Sequence, residues 1–390
     1  MEEVFLISTA RTPIGSLQGA LASIPCTRLG ARAIQAAVER AGIDPSEVEE
    51  VFMGNVITSG EGQAPANQAS IYAGLPDRIP CTTVNKVCAS GMKAIVLAAQ
   101  GIRLGDIRLA VAGGMESMSN TPYYLDKARA GYRLGNGVLT DGILRDGLWD
   151  PYHDFHMGNA AELCAAKYRI TREDQDAFAL ESYRRVREAT EQGFFSAEIV
   201  PVETGGKQPV TVSRDEEYQK LQAGKIPLLK PAFDKDGTIT AANASKINDG
   251  AAAVVLCGQA RAKDLGLKPV ARIVSYADAS QAPEWFTTTP TIAMNRALKN
   301  AALQMKDMDY AEINEAFSCV AIANARDLGI DPSRLNIWGG AVALGHPIGC
   351  SGARILVTLV SILKRNHGRY GIAGICNGGG GASAVIVEAL

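Results

Sequence analysis

The chain has 390 residues, of which 47% are hydrophobic and 40 are glycine, with a formal net charge of −2. That is enough apolar material for a large core and more than one domain, and the balanced, interspersed charges exclude a basic nucleic-acid surface. Eight cysteines without paired metal-ligand spacing, several of them in apolar runs, point to free thiols in a reducing compartment instead of a disulfide framework.

The chain opens Met1-Glu2-Glu3 and runs into an apolar strand at 4–8, without a basic and apolar leader pattern, and its last residues, Val-Glu-Ala-Leu, are not a peroxisomal tripeptide. The longest apolar stretches, such as 355–363, are too short and too interrupted to cross a membrane. A cytoplasmic protein is the expectation, with a mature organellar form as the alternative. A helix follows at 30–41, ending at Gly42, then a strand at 51–56, a strand at 84–87 and an apolar helix at 92–102. This alternation predicts a layered α/β fold. From 119 to about 249 the character changes to irregular Gly/Tyr/Arg-rich segments and one charged helix at 172–192, which reads as an insertion. Strands at 251–257, 270–275 and 370–375 resume the core.

Three segments carry candidate chemistry. VCASGMK (87–93) puts Cys88 between a strand and a helix N-terminus, whose unpaired N–H groups favour a thiolate. Taken alone, a cysteine before a buried helix is more often inert core. GGAVALGHPIGCSG (339–352) holds His346, one of only four histidines, in a tight glycine loop where an imidazole can serve as base. ICNGGGGAS (375–383) places Cys376 between an apolar strand and four glycines, which are either a tight turn or a bare backbone able to bind an oxyanion. No Gly-Lys-Ser/Thr follows, which argues against a phosphate loop.

The two halves also resemble each other. A shift of 261 positions lays Ser90 and Gly91 on Ser351 and Gly352, Lys93 on Arg354, and Gly113 on Gly374. A duplication related by a pseudo-twofold axis would bring Cys88 and His346 together from equivalent ends of two similar sheets.

With RTPIGSLQGAL (11–21), AGGMESMSNTPY (112–123), HMGNAAE (156–162), AANASKINDGAAA (241–253) and NEAF (314–317), these blocks resemble the thiolase family from Val4 to Leu390, most closely the acetyl-CoA acetyltransferase group. The resemblance implies a thiolase fold of two similar α/β/α/β/α core halves, at 1–118 plus 249–268 and at 269–390. Residues 119–248 would be a loop domain that binds coenzyme A and carries, at 123–143, a tetramerisation loop. It implies reversible condensation of two acetyl-CoA to acetoacetyl-CoA and coenzyme A through acetyl-Cys88, with His346 as base and Cys376 as the acid/base at the second acetyl group. His346 and a water on Asn314 would form one oxyanion hole, and the N–H groups of Cys88 and Gly378 the other. Contacts implied for coenzyme A and the acyl group are His156, Met157 and Ser245, with Leu148, Ala244, Ile247, Ala316 and Phe317 as walls and Lys220 and Lys225 at the nucleotide end. Read alone, Asn314 is a helix cap, His156 a satisfied buried histidine and the two lysines solvated surface groups. The pair His153 and His156 lacks a further ligand to complete a metal site.

No cofactor is required on this reading. Tyr183 and the carbonyls of Ala241, Ala242, Ala244 and Val342 coincide with a potassium site of one subgroup, an oxygen set suited to a hard cation. That subgroup has phenylalanine where Phe286 stands but proline in place of Thr287, which leaves 2-methyl-branched substrates open. Lys246 replaces a small or apolar neighbour of Ser245 and either alters ligand affinity or lies outward. The competing readings are a broader-chain 3-ketoacyl-CoA thiolase and a non-catalytic acyl-CoA-binding scaffold. A ketoacyl-synthase type would carry histidine at position 376.

Overall fold

A computed structural model describes residues 2–205 and 208–390. Its main strands are β1 (Val4–Arg11), β2 (Glu50–Gly54), β3 (Cys81–Val84), β4 (Leu109–Ser117), β5 (Asn248–Gly258), β6 (Ala271–Ser280), β7 (Tyr310–Ile313), β8 (Tyr370–Asn377) and β9 (Gly381–Ala389). They join in the order β7-β8-β9-β6-β1-β5-β4-β2-β3. The halves meet where β1 pairs antiparallel with β6, Phe5 opposite Arg272 and Leu6 opposite Ala271. On each side of that seam come two antiparallel pairings and then a parallel one: β1-β5-β4-β2 on one side, β6-β9-β8-β7 on the other. A bulge interrupts β1 between Leu6 and Ser8, and a bulge interrupts β6 between Ile273 and Ser275. An irregularity repeated at matching places is what a duplicated chain retains.

Helices α1 (Cys26–Ala41), α2 (Pro65–Tyr72), α3 (Ser90–Leu104), α4 (Met157–Tyr168), α5 (Arg172–Glu191), α6 (Thr289–Ala301), α7 (Ser318–Leu328), α8 (Ala341–Leu344) and α9 (Ile348–Asn366) complete the frame. Alternation along the strands sorts the layers. Ala110 and Ala112 of β4, with Val254 and Leu256 of β5, face a central core shared by Met92 and Ile95 of α3 and Ile355 and Leu359 of α9. Ala373, Ile375, Val385 and Val387 close that core from the other half. The intervening residues Leu109, Val111, Ala253 and Val255 face Leu29, Ile34 and Val38 of α1. Ile372, Ala384 and Ile386 face Met294 and Leu298 of α6. The result is an α/β/α/β/α stack with α3 and α9 in the middle.

These central helices cross through glycine. A Cβ on Gly91 would lie 2.9 Å from the Ala353 nitrogen, and one on Gly352 would lie 2.6 Å from the Met92 nitrogen. The two glycines matched by the internal repeat are therefore where the backbones touch. Val87–Leu104 has mean hydropathy 1.3 and is long and apolar enough to cross a membrane, contrary to the expectation that no stretch reaches that length. Most of it is buried as the central-layer helix, and its apolar content serves the core.

Between β4 and β5 the regular elements are α4, α5 and short turns and strands. Helix α5 starts in a capping box in which Thr171 Oγ1 accepts from the Asp174 N–H and Asp174 accepts from the Thr171 N–H. Arg11, fully buried at the end of β1, donates to Glu198 at 2.6 Å and to both oxygens of Asp215 at 2.7 and 3.0 Å. Burial opposes its charge, but Asp215 and Glu198 outweigh burial and hold the guanidinium ionised. The RTPIG block thus ties this intervening segment to the sheet.

Candidate active site

The strand expected at 84–87 stops at Val84. Val87 is left-handed, with φ of 47°, a costly conformation for a β-branched residue. Two side chains hold it there: Asn85 Oδ1 accepts from the Val87 N–H at 3.0 Å, and Ser90 Oγ donates to the Val87 carbonyl at 2.6 Å while accepting from the Lys86 N–H at 2.8 Å. The turn delivers Cys88 to the mouth of α3, half-buried against Val56, Ile57, Met118 and Ile348. Burial pushes its thiol up to about 12, against hydrogen bonds from the N–H groups of Gly378 and of Cys88 itself. The expected thiolate is therefore corrected: desolvation outweighs the helix N-terminus, and the resting group is a neutral thiol.

His346 is also neutral. Burial, aided by the nearby Arg354 charge, lowers its imidazole to about 3. Its Nδ1 lies 2.6 Å from Ser351 Oγ, and that hydroxyl donates to the Pro347 carbonyl at 2.9 Å. With its one proton committed, Ser351 accepts from Nδ1–H, which leaves Nε2 as the unprotonated nitrogen. Asn314 Nδ2 faces Nε2 at 3.5 Å, and the buried Asn314 Oδ1 has no protein partner, a place for a bound water. The His346 N–H donates to Asn248 Oδ1 at 2.9 Å. Gly345, at φ of 109°, lets the chain pass, since a Cβ there would lie 2.4 Å from the Asn248 side chain. Ser351, matched to the helix start Ser90 by the repeat, lies one turn inside α9, because 348–350 are already helical. That extra turn is what sets its hydroxyl under the imidazole.

Cys376 is fully buried at the end of β8, its thiol raised well above the ordinary range by burial and by the neighbouring Cys88. It shares an apolar cluster with Met157, Ala244, Phe286, Ala316 and Phe317. Gly378 follows in the hairpin between β8 and β9, open toward the Met157 sulfur and Val87. His156 caps α4, its Nδ1 accepting from the Gly158 N–H at 2.9 Å, and stacks on Phe233 at 4.6 Å, which meets Phe317 edge-on at 6.0 Å. His156 thus has a satisfied Nδ1 while its ring lies against Phe233 beside Phe317. The Ser245 N–H donates to the Ala316 carbonyl at 3.0 Å, and Ala244 bridges Phe317, joining the AANAS and NEAF blocks. Ile247 packs in the cluster beside Cys88. Leu148 is half-buried, and its neighbour Gly147 lies against Ile57 and Ile348 of that cluster. Lys220 is exposed, 3.9 Å from Glu217, and Lys225 is exposed.

The potassium expectation is corrected. Lys246 turns inward, and its Nζ donates to the carbonyls of Ala244 at 2.5 Å and Val342 at 3.2 Å, 5.8 Å from the Tyr183 ring. Two of the expected ligand carbonyls already hold an ammonium, and Ala241 is exposed. The donor set does not fit a further cation. Burial lowers Lys246 to about 8, while Glu217 and Glu315 favour its charge. The His153 ring lies 3.4 Å from Asp150 and 3.6 Å from Glu284, while His156 turns to the Gly158 N–H, and among the described residues no group of three or more His, Cys, Asp or Glu side chains forms a metal cluster.

Sequence reasoning missed the supports. Glu116, buried and pushed up to about 8 by burial and Glu61, accepts from the N–H groups of Val56, Ile57 and Gly349, clamping the start of α9. Glu315 accepts from Ser182, Asn336 and the Val342 N–H. Both are carboxylates inside the quoted motifs, which is the signal that marks them.

The duplicated frame carries one cysteine at a helix mouth and a second at the end of β8 before a glycine hairpin, and the comparisons with known proteins make the class an acyltransferase. A family model described as the thiolase N-terminal domain matches residues 4–260, and one described as the thiolase C-terminal domain matches 267–389. The chain is 56% identical over 390 residues to acetyl-CoA acetyltransferase 1 of Arabidopsis thaliana, covering 99% of this chain and 94% of that one. It is 53% identical to a cytosolic acetyl-CoA acetyltransferase of Gibberella zeae, covering 99% and 98%, and 53% identical to the mitochondrial enzyme of Bos taurus, covering 100% and 92%. A crystal structure of a thiolase from Ascaris suum in complex with coenzyme A superposes with a TM-score of 0.95 at 45% identity, covering all of both chains. The chain belongs to the thiolase family.

Proposed function

We propose that this chain is an acetyl-CoA C-acetyltransferase, condensing two acetyl-CoA to acetoacetyl-CoA and coenzyme A and catalysing the reverse thiolysis. The observation that carries the reading is the buried His346, its Nδ1 on Ser351 and its Nε2 3.5 Å from the Asn314 amide, with Gly378 set against Val87, the residue before Cys88. In the proposed first half-reaction, Cys88 passes its proton to His346 Nε2 as its sulfur bonds to the acetyl carbon. A thiol at about 12 and an imidazole at about 3 do not form an ion pair at rest, so proton transfer accompanies attack. The oxyanion takes the proposed hole of the Cys88 and Gly378 N–H groups. The departing coenzyme A sulfur takes the Cys376 proton. In the second half-reaction the Cys376 thiolate removes a methyl proton from the next acetyl-CoA. The second thioester oxygen is held at the Asn314 water and His346, the carbanion attacks acetyl-Cys88, and His346 returns its proton to the departing Cys88 sulfur. Coenzyme A enters as substrate and no cofactor is invoked.

Met157, Phe286 and Phe317, in the buried cluster around Cys376, crowd that thiol and support a short acyl group. His156 and Ser245 remain the proposed pantetheine contacts, Leu148, Ala244, Ile247 and Ala316 the walls, and Lys220 and Lys225 the nucleotide contacts. Within 119–248, the proposed loop domain, Leu134, Val138 and Leu139 are 99%, 76% and 64% exposed, which supports a tetramer assembled through that segment. A cytoplasmic location is supported by the eight free cysteines, while relatives named cytosolic and mitochondrial match equally well.

The test is coenzyme A-dependent cleavage of acetoacetyl-CoA, its 2-methyl derivative and a longer 3-ketoacyl-CoA. Preference for acetoacetyl-CoA is expected. Equal or faster cleavage of the longer substrate would make this a broad degradative thiolase, and cleavage of none would leave a binding scaffold.

A further inference from the structure

We propose that the Lys246 ammonium is a tethered monovalent cation which pins the 241–245 loop to the α8 turn before His346, making the protein independent of potassium. The geometry carries this. Nζ donates to the Ala244 carbonyl and, 96 residues away in sequence, to that of Val342. Ala244 belongs to the wall beside Cys376. Val342 lies in α8, the short helix that ends immediately before Gly345 and His346. One ammonium thereby holds together the acyl-pocket wall and the chain that sets the imidazole.

A positive charge is needed there for a second reason. Glu217 and Glu315 are both buried, at 7% and 1% exposure, and both act on Lys246. Glu315 accepts from the Val342 N–H at 3.1 Å, and Asn248, which holds the His346 N–H, donates to Glu217 at 3.3 Å. Both carboxylates favour the charged form of Lys246. Supplied by a side chain, the charge cannot be exchanged with solvent. Lys246 is in this sense a positioning residue, acting through the Ala244 and Val342 backbones.

The proposal rests on His346 being catalytic for its activity readout, but not for its thermal one. Thermal unfolding and acetoacetyl-CoA cleavage are measured with potassium or sodium as the only monovalent cation, for the unaltered protein, Lys246→Ala and Lys246→Met. The unaltered protein is expected to have the same Tm and rate in both salts. Lys246→Ala, which opens the space, is expected to lose about tenfold in rate in sodium, the scale of one charged hydrogen bond. Potassium should restore most of that loss and raise Tm. Lys246→Met, which fills the space without charge, should lose rate and regain nothing. Potassium stimulation of the unaltered protein would overturn the proposal, as would Lys246→Ala indifferent to the cation or Lys246→Met behaving as the unaltered protein. If neither variant folds, the comparison of salts on the unaltered protein still decides. Were no variant or substrate active, the Tm response would still be readable.

Discussion

Replacing Ser351 with alanine probes how His346 is held. The hydroxyl accepts from Nδ1–H at 2.6 Å and donates to the Pro347 carbonyl at 2.9 Å, all within a buried site. Ser351→Ala strands Nδ1–H without a partner, a penalty of about 1–3 kcal/mol for a buried donor. It also lets the proton shift to Nε2, where it blocks acceptance from Cys88. The helix itself gains about 0.5 kcal/mol from alanine, so the expected net destabilisation is about 0.5–2.5 kcal/mol. If the orienting bond persists in the transition state, kcat/KM for acetoacetyl-CoA thiolysis should fall about 10- to 100-fold, or about 1.4–2.7 kcal/mol. Initial rates under saturating coenzyme A, with Tm measured in parallel, separate the two effects, and Ser351→Thr should recover part of the rate. A Ser351→Ala enzyme within twofold of the parent would refute the assignment of the Nδ1–H tautomer.

Cys88→Ser should keep its Tm and lose acyl transfer, and near-normal turnover would contradict its role as nucleophile. Cys376→Ser should condense slowly while acetyl-Cys88 still accumulates by mass spectrometry; absence of the adduct would contradict the division of roles. With the thiol pushed up to about 12 and the imidazole lowered to about 3, alkylation of Cys88, followed on its own peptide, should keep rising through pH 9. A plateau with an apparent pKa of about 7, as for an activated thiol, would overturn the neutral resting pair. Gly352→Ala drives a Cβ to 2.6 Å from the Met92 nitrogen. Backbone cannot step aside there, so a loss of about 1–3 kcal/mol, read as a lower Tm, is expected; an unchanged Tm would mean α3 and α9 do not cross at that point.

Much of the frame was legible because its signals are local. The strand cores at 4–8 and 251–257 and the helix ending at Gly42 follow from apolar period and a glycine stop, and Gly42 is left-handed as a helix end requires. The internal repeat at 261 residues anticipated that Gly91 and Gly352 would be equivalent, and they are the crossing point of the central helices. What it did not reveal was the extra turn that places Ser351 within α9, since a helix start is set by where Pro347 and the Glu116 clamp let the chain begin to coil. The end of the strand at Val84 was hidden for a similar reason: Val87 has strand propensity, and Asn85 and Ser90 override it.

By itself the sequence determined the family and the layered duplicated architecture, and it nominated Cys88, His346 and Cys376 as the candidate chemistry, because residue type and spacing along the chain are enough for those. The tertiary structure decided what depends on packing from distant segments. Burial reversed the direction expected for the Cys88 thiol, since desolvation among its apolar neighbours exceeds the pull of one helix terminus. The carbonyls of Ala244 and Val342, meeting only in the folded chain, turned Lys246 inward and closed the potassium site that the same residues had suggested.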